Sequence, residues 1–117
     1  MEYAELKPDL ERISRAVHRL DRRVSLPEAE HRTLRAHPEW WPVYKRAVAD
    51  GAAPPFAQGP IRLRTREAQR VWASIERLAR RRVLQSREVL TLYFAVQAVV
   101  RAHPELYEAC ARARGVA

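Results

Sequence analysis

Arginine, spaced for one face of a helix, is the chemistry this sequence offers most plainly. Arg66, Arg70, Arg77 and Arg81 recur at intervals of four and seven residues. At about 100° per residue they fall on one side of a helix, with Arg80 beside them. Arg12, Arg15, Arg19, Arg22 and Arg23 repeat the pattern near the N-terminus. A guanidinium is planar and permanently charged, and its donor fork suits phosphate oxygens. A row at one-turn and two-turn intervals can contact successive phosphates of a nucleic-acid backbone. Such contacts supply affinity and salt dependence with little sequence readout. Arg62, Arg64 and Arg66 lead into that helix from a segment read as extended, where they would prolong the track. The bland alternative is a solvated face whose arginines pair locally with Glu11, Asp21, Glu67 and Glu76, exposed pairs that contribute little.

The two rows belong to a longer internal likeness. Arg12-Ile13-x3-Val17-x-Arg19-Leu20-x-Arg22-Arg23 recurs as Arg70-Val71-x3-Ile75-x-Arg77-Leu78-x-Arg80-Arg81, an offset of 58. Arg35-Ala36-His37-Pro38-Glu39 recurs as Arg101-Ala102-His103-Pro104-Glu105, an offset of 66. Eight extra residues therefore lie between the landmarks of the second copy. Matched apolar positions would follow from any two packed helices. Matched arginines on the solvent side point to a shared basic surface.

Charge is distributed to the same effect. The chain of 117 residues carries 22 basic and 14 acidic side chains, a net of +8. Residues 61–87 hold nine arginines against Glu67 and Glu76, a net of +7, which leaves +1 for everything else. A positive field that local is what a surface meeting an anion requires. With 47% hydrophobic residues the chain has enough apolar material to fold. One cysteine, Cys110, excludes an internal disulfide framework and fits a reducing compartment. The acidic start at Met1-Glu2-Tyr3 lacks a signal core, and Val89–Val100 is too short to span a bilayer. The expectation is a cytoplasmic protein with no membrane partner.

Other candidate chemistry is thinner. Trp40, Trp41 and Tyr44 cluster after the first His-Pro-Glu, with Leu106 and Tyr107 in the corresponding places of the second copy. Exposed aromatics beside arginine can stack on single-stranded bases; packed core anchors are the commoner use, and the favoured one here, as for Trp72. Glu28 and His31 make one Glu-x-x-His spacing, but a helical di-iron site needs a second such motif and further glutamates. His37 and His103 each precede a proline where a helix must stop. Cys110 lies among alanines and reads as a small packed residue. There is no glycine-rich phosphate loop, hydrolase elbow or zinc-knuckle spacing. No enzyme activity, cofactor or metal is expected.

Six helices account for the pattern. The first is predicted from Pro8 to Val24, with Leu10, Ile13, Val17, Leu20 and Val24 as its buried stripe. The second runs from about Pro27 to His37, and the third from Pro38 to Asp50, with Pro42 distorting it and Gly51 capping it. The Pro/Gly/Ala stretch 51–60 reads as a linker. Thr65 should cap a fourth helix to Val83, and Ser86 a fifth that reaches His103. Pro104 opens the sixth, which ends at Gly115. On this reading the second middle helix is two turns longer than the first. The fifth helix is apolar on every side and should be a central pillar, or else pack against another subunit.

The expected fold is a single all-α domain over 1–117, a bundle built from two similar three-helix units at about 8–51 and 65–115. The expected function is low-specificity binding of a nucleic-acid backbone, RNA or single-stranded DNA, within a larger assembly. Arg12, Arg19, Arg22, Arg23, Arg62, Arg64, Arg66, Arg70, Arg77, Arg80 and Arg81 are the expected phosphate contacts. In size, charge and helical content the chain resembles the small subunits of CRISPR effector complexes, which line a nucleic-acid channel. On shape and charge alone, that likeness implies a similar role with protein partners or self-association. The competing class is an adaptor that docks a partner through the apolar fifth helix or a Trp40–Trp41 patch.

Overall fold

The computed structural model describes residues 1–56 and 65–113. Among them the chain is all-α: α1 (Tyr3–Leu20), α2 (Leu26–Ala36), a 3₁₀ turn at Pro38–Trp40, α3 (Trp41–Ala49), α4 (Arg66–Gln85), α5 (Leu92–Ala102) and α6 (Pro104–Ala113). The first helix folds back on α2, α4 packs against α5 and α6, and α3 touches both α1 and α4. One apolar cluster runs through the first five helices, from Leu6 and Leu10 on α1 to Val96 and Val99 on α5. The all-helical bundle expected from the apolar spacing is the fold the chain adopts.

Helix ends differ from the expected ones for identifiable reasons. The first helix begins at Tyr3, five residues before Pro8, because Tyr3 and Leu6 gain tertiary contacts that outweigh one lost hydrogen bond. Pro8 deprives only the Ala4 carbonyl of its donor, and both residues are exposed, so water can replace it. The buried positions are Leu6, Leu10 and Ser14, while Leu20, expected in the stripe, is 89% exposed. The helix stops at Leu20 because the Asp21 carboxylate accepts the Arg23 backbone N–H (3.1 Å) and closes a local turn. Val24 is buried beyond that turn, its carbonyl 2.6 Å from His18 Nδ1.

Pro42 does not distort α3. It occupies the first turn, where its missing N–H has no intrahelical acceptor to lose. Gly51 ends the helix as expected: at φ +95°, its N–H donates to the Val48 carbonyl (3.1 Å) and the Ala52 N–H to Ala47 (2.9 Å). These are the paired bonds of a Schellman cap.

The eight additional residues enter elsewhere than expected. The middle helices α2 and α5 have the same length, 11 residues each, and their ends correspond at the 66-residue offset. The extra length extends α4 seven residues past the counterpart of Leu20 and adds one residue to the following connection. Ser86 therefore caps no fifth helix. It ends α4, and its hydroxyl donates to the Glu88 carbonyl (2.7 Å). Nor is α5 buried on every side. Leu92, Ala95, Val96 and Val99 are buried, whereas Tyr93, Phe94, Gln97, Ala98 and Val100 are half-buried.

Tyr44 ties these elements together. It is fully buried, stacks with Trp41 (centroids 5.9 Å apart) and meets Tyr3 edge-on at 6.5 Å. Its hydroxyl accepts the Leu92 N–H at 2.9 Å, which satisfies a first-turn donor of α5 that Thr91, the N-cap residue, leaves uncapped. Replacing Tyr44 by Phe keeps the ring and strands that buried N–H. The expected cost is about 1–3 kcal/mol in urea unfolding, against little change for the exposed control Tyr107→Phe. Equal midpoints for both variants would show that the hydroxyl carries no such duty.

Candidate nucleic-acid interface

The basic surface rests on how α4 is anchored. Thr65 Oγ1 accepts the Ala68 N–H at 3.1 Å, the N-cap expected from the sequence. Ala68, Ile75, Ala79 and Val83 are buried on one side. The small side chain of Ala68 lets α6 approach, with the Cys110 thiol 3.9 Å from the Ala68 carbonyl. The opposite side is left to arginine. This helix carries six arginines against Glu67 and Glu76, a net of +4. Trp72 Nε1 donates to Glu76 (3.1 Å), so that carboxylate is turned to an indole and not to a cation.

Arg66, Arg70, Arg77 and Arg81 are exposed and have no carboxylate within ion-pair distance among the described residues. From Arg66 to Arg81 the row covers about 22 Å of helix axis. Arg77 is steadied by Ser74, whose hydroxyl oxygen accepts from its guanidinium at 3.2 Å. Arg80, expected in the same track, has another task. Its NH1 donates to the carbonyls of Val48 (2.9 Å) and Ala52 (3.0 Å), at the C-terminal end of α3. In return Lys45 of α3 donates to the Ser86 carbonyl (2.7 Å), at the C-terminal end of α4. Each helix thus places a cation at the other's C-terminal carbonyls, where backbone dipoles favour positive charge.

The first row is not equivalent to the second. Arg12 pairs with Asp9 (3.4 Å), and Arg15 pairs with Glu11 (3.1 Å) while lying over the Phe56 ring. Arg19 is exposed without a carboxylate partner among the described residues. Arg22 and Arg23, expected on the helix, stand in the turn beyond it, and Arg23 pairs with Asp21 (3.1 Å). With four basic and three acidic residues, α1 is nearly neutral. Arg62 and Arg64 lie outside the described residues. Arg82 and Arg87, both exposed, add to the charge around the end of α4.

The aromatic candidates are mostly structural. Trp41 is 9% exposed and belongs to the core. Trp40 packs against the core and stacks on His37 at 4.1 Å. His37 and His103 occupy the C-cap positions of α2 and α5, with Glu39 and Glu105 at 3.4 and 3.3 Å respectively. Glu28 pairs with Arg32 (3.0 Å), and His31 meets Phe94 edge-on.

One group went unnoticed in the sequence. Glu30 is 1% exposed, facing Tyr3 and Tyr44. Its position beside Ala29, Thr33 and Leu34 on the buried side of α2 was the available signal. Burial raises its pKa from 4.5 to about 7. The Tyr44 hydroxyl and Phe56 N–H favour the charged form, yet neither carboxylate oxygen completes a direct hydrogen bond among the described residues.

No protein-family model, curated protein or solved structure matches this chain.

Glu30 makes stability depend on pH with a definite sign. Its carboxyl binds a proton more tightly in the folded chain, so its favourable share is complete below about pH 4.5 and is lost as pH rises to about 7. The loss amounts to roughly 3 kcal/mol at most. Burial lowers the His31 pKa and opposes this trend, so comparison with Glu30→Gln isolates the carboxyl. Between pH 5 and pH 8 the wild-type chain should lose urea resistance relative to Glu30→Gln. Parallel behaviour of the two would mean that Glu30 ionises without penalty.

Proposed function

We propose that this protein binds the backbone of RNA or single-stranded DNA with low sequence specificity, as a subunit of a larger nucleoprotein assembly. The observation that carries this reading is the row Arg66, Arg70, Arg77 and Arg81, exposed and free of carboxylates among the described residues. Four guanidiniums on one rigid helix are held in register without a partner to neutralise them, which favours an anionic polymer over a lone small anion. Arg19, Arg82 and Arg87 would add general attraction. Docking through a Trp40–Trp41 patch draws no support, since Trp41 is part of the core. The large exposed apolar side chains among the described residues are Met1, Leu20, Leu84 and Tyr107, none of them on α5.

The test is fluorescence anisotropy with labelled single- and double-stranded RNA and DNA across a salt series. The variant changes Arg66, Arg70, Arg77 and Arg81 to Gln and spares Arg80, so that loss of binding is not confused with loss of the α3–α4 junction. Four lost phosphate contacts should reduce the slope of log K against log salt by about three. No binding of any strand at low salt overturns the reading.

A further inference from the structure

The arginine row ends in a groove. Where the C-terminal half of α4 passes the end of α3, Ala49 and Ala73 leave a depression of about 590 Å³, within the roughly 300–1,000 Å³ of small-molecule clefts. Leu84 forms one wall. It lies about five turns beyond Arg66 on the same line of the helix, and it is 51% exposed. It puts an aliphatic surface on the arginine face. Arg77 and Arg81 border the groove one turn apart, and Arg80 lines it. Glu76, the lining carboxylate among the described residues, is engaged by the Trp72 indole.

Arg80 gives this groove a fixed platform. The two carbonyl bonds at its NH1 hold the guanidinium in place, so its plane is set before any ligand arrives. Guanidinium planes stack on unpaired bases, and a side chain already ordered loses little entropy in doing so. From the apolar wall, the fixed cationic plane and the flanking arginines, we infer that the groove receives an unpaired base of the strand whose phosphates follow the row. This rests on the backbone-binding reading and sharpens it: the ligand is single-stranded, because a duplex keeps its bases stacked and out of reach.

Three probes of equal length test it by anisotropy at one salt concentration: a labelled oligothymidylate, an abasic strand with the same phosphates, and a DNA duplex. The wild-type protein should bind the oligothymidylate about fivefold more tightly than the abasic strand, the low end of what one stacked base contributes. Leu84→Ala removes the wall and Ala73→Gln fills the groove; both positions are exposed and neither change alters charge. Each should erase the difference while leaving abasic and duplex affinities unmoved. Equal wild-type affinity for the oligothymidylate and the abasic strand overturns the groove and leaves the backbone reading standing, as does a difference that survives both substitutions. Failure of all three probes to bind overturns the groove, and the backbone reading falls with it only if single-stranded RNA also fails to bind.

Discussion

The fold depends on one buried hydroxyl. Tyr44 is enclosed, and its oxygen must be satisfied without water; the Leu92 N–H does so at 2.9 Å. That single bond ties α3, early in the chain, to the start of α5, 48 residues later. The same side chain meets Tyr3 of α1 and Trp41 of its own helix, and it faces Glu30 of α2. Four helices are therefore registered around one phenol. Unpaired polar groups in a dry interior cost more than apolar mismatches, so this position constrains the arrangement more tightly than any aliphatic contact in the cluster.

A second constraint joins α3 to α4 and shapes the surface. Arg80 and Lys45 exchange helix ends, each donating to carbonyls at the other's C-terminus. The junction takes one arginine out of the basic row and makes it part of the scaffold. It also fixes α4 so that Arg66, Arg70, Arg77 and Arg81 face outward from a rigid support. The corresponding row on α1 has carboxylates at Asp9 and Glu11 that absorb Arg12 and Arg15. Two stretches alike in their arginines thus differ in the field they project. What separates them is where the acidic residues stand.

Much of this was legible in the chain. Helical spacing marked α4 closely, because an amphipathic helix must repeat near 3.6 residues to keep one face dry. Prolines and His37 marked the ends of α2 and the start of α6, whose expected end at Gly115 lies outside the described residues. Thr65 and Gly51 announced a cap at each kind of helix end through local chemistry alone. Where neighbours outvoted local signals, the expected boundaries moved. Burial of Leu6 carried α1 back through Pro8, the Asp21 turn ended it early, and Thr91 rather than Ser86 began α5.

The candidate site divides in the same way. That α4 would present a line of arginines followed from sequence alone, since helical periodicity fixes which side chains share a face. Whether each guanidinium was available was decided by the tertiary structure, since availability depends on acceptors distant in the chain. Arg80 and Arg81 are neighbours with the same chemistry, yet Val48 and Ala52, 32 and 28 residues away, engage only the first. Glu30 is a parallel case. Its place on the apolar side of α2 is written in its spacing, but its buried, unpartnered state exists only once Tyr3 and Tyr44 close over it. Local periodicity determines direction; contacts between distant segments determine what waits there.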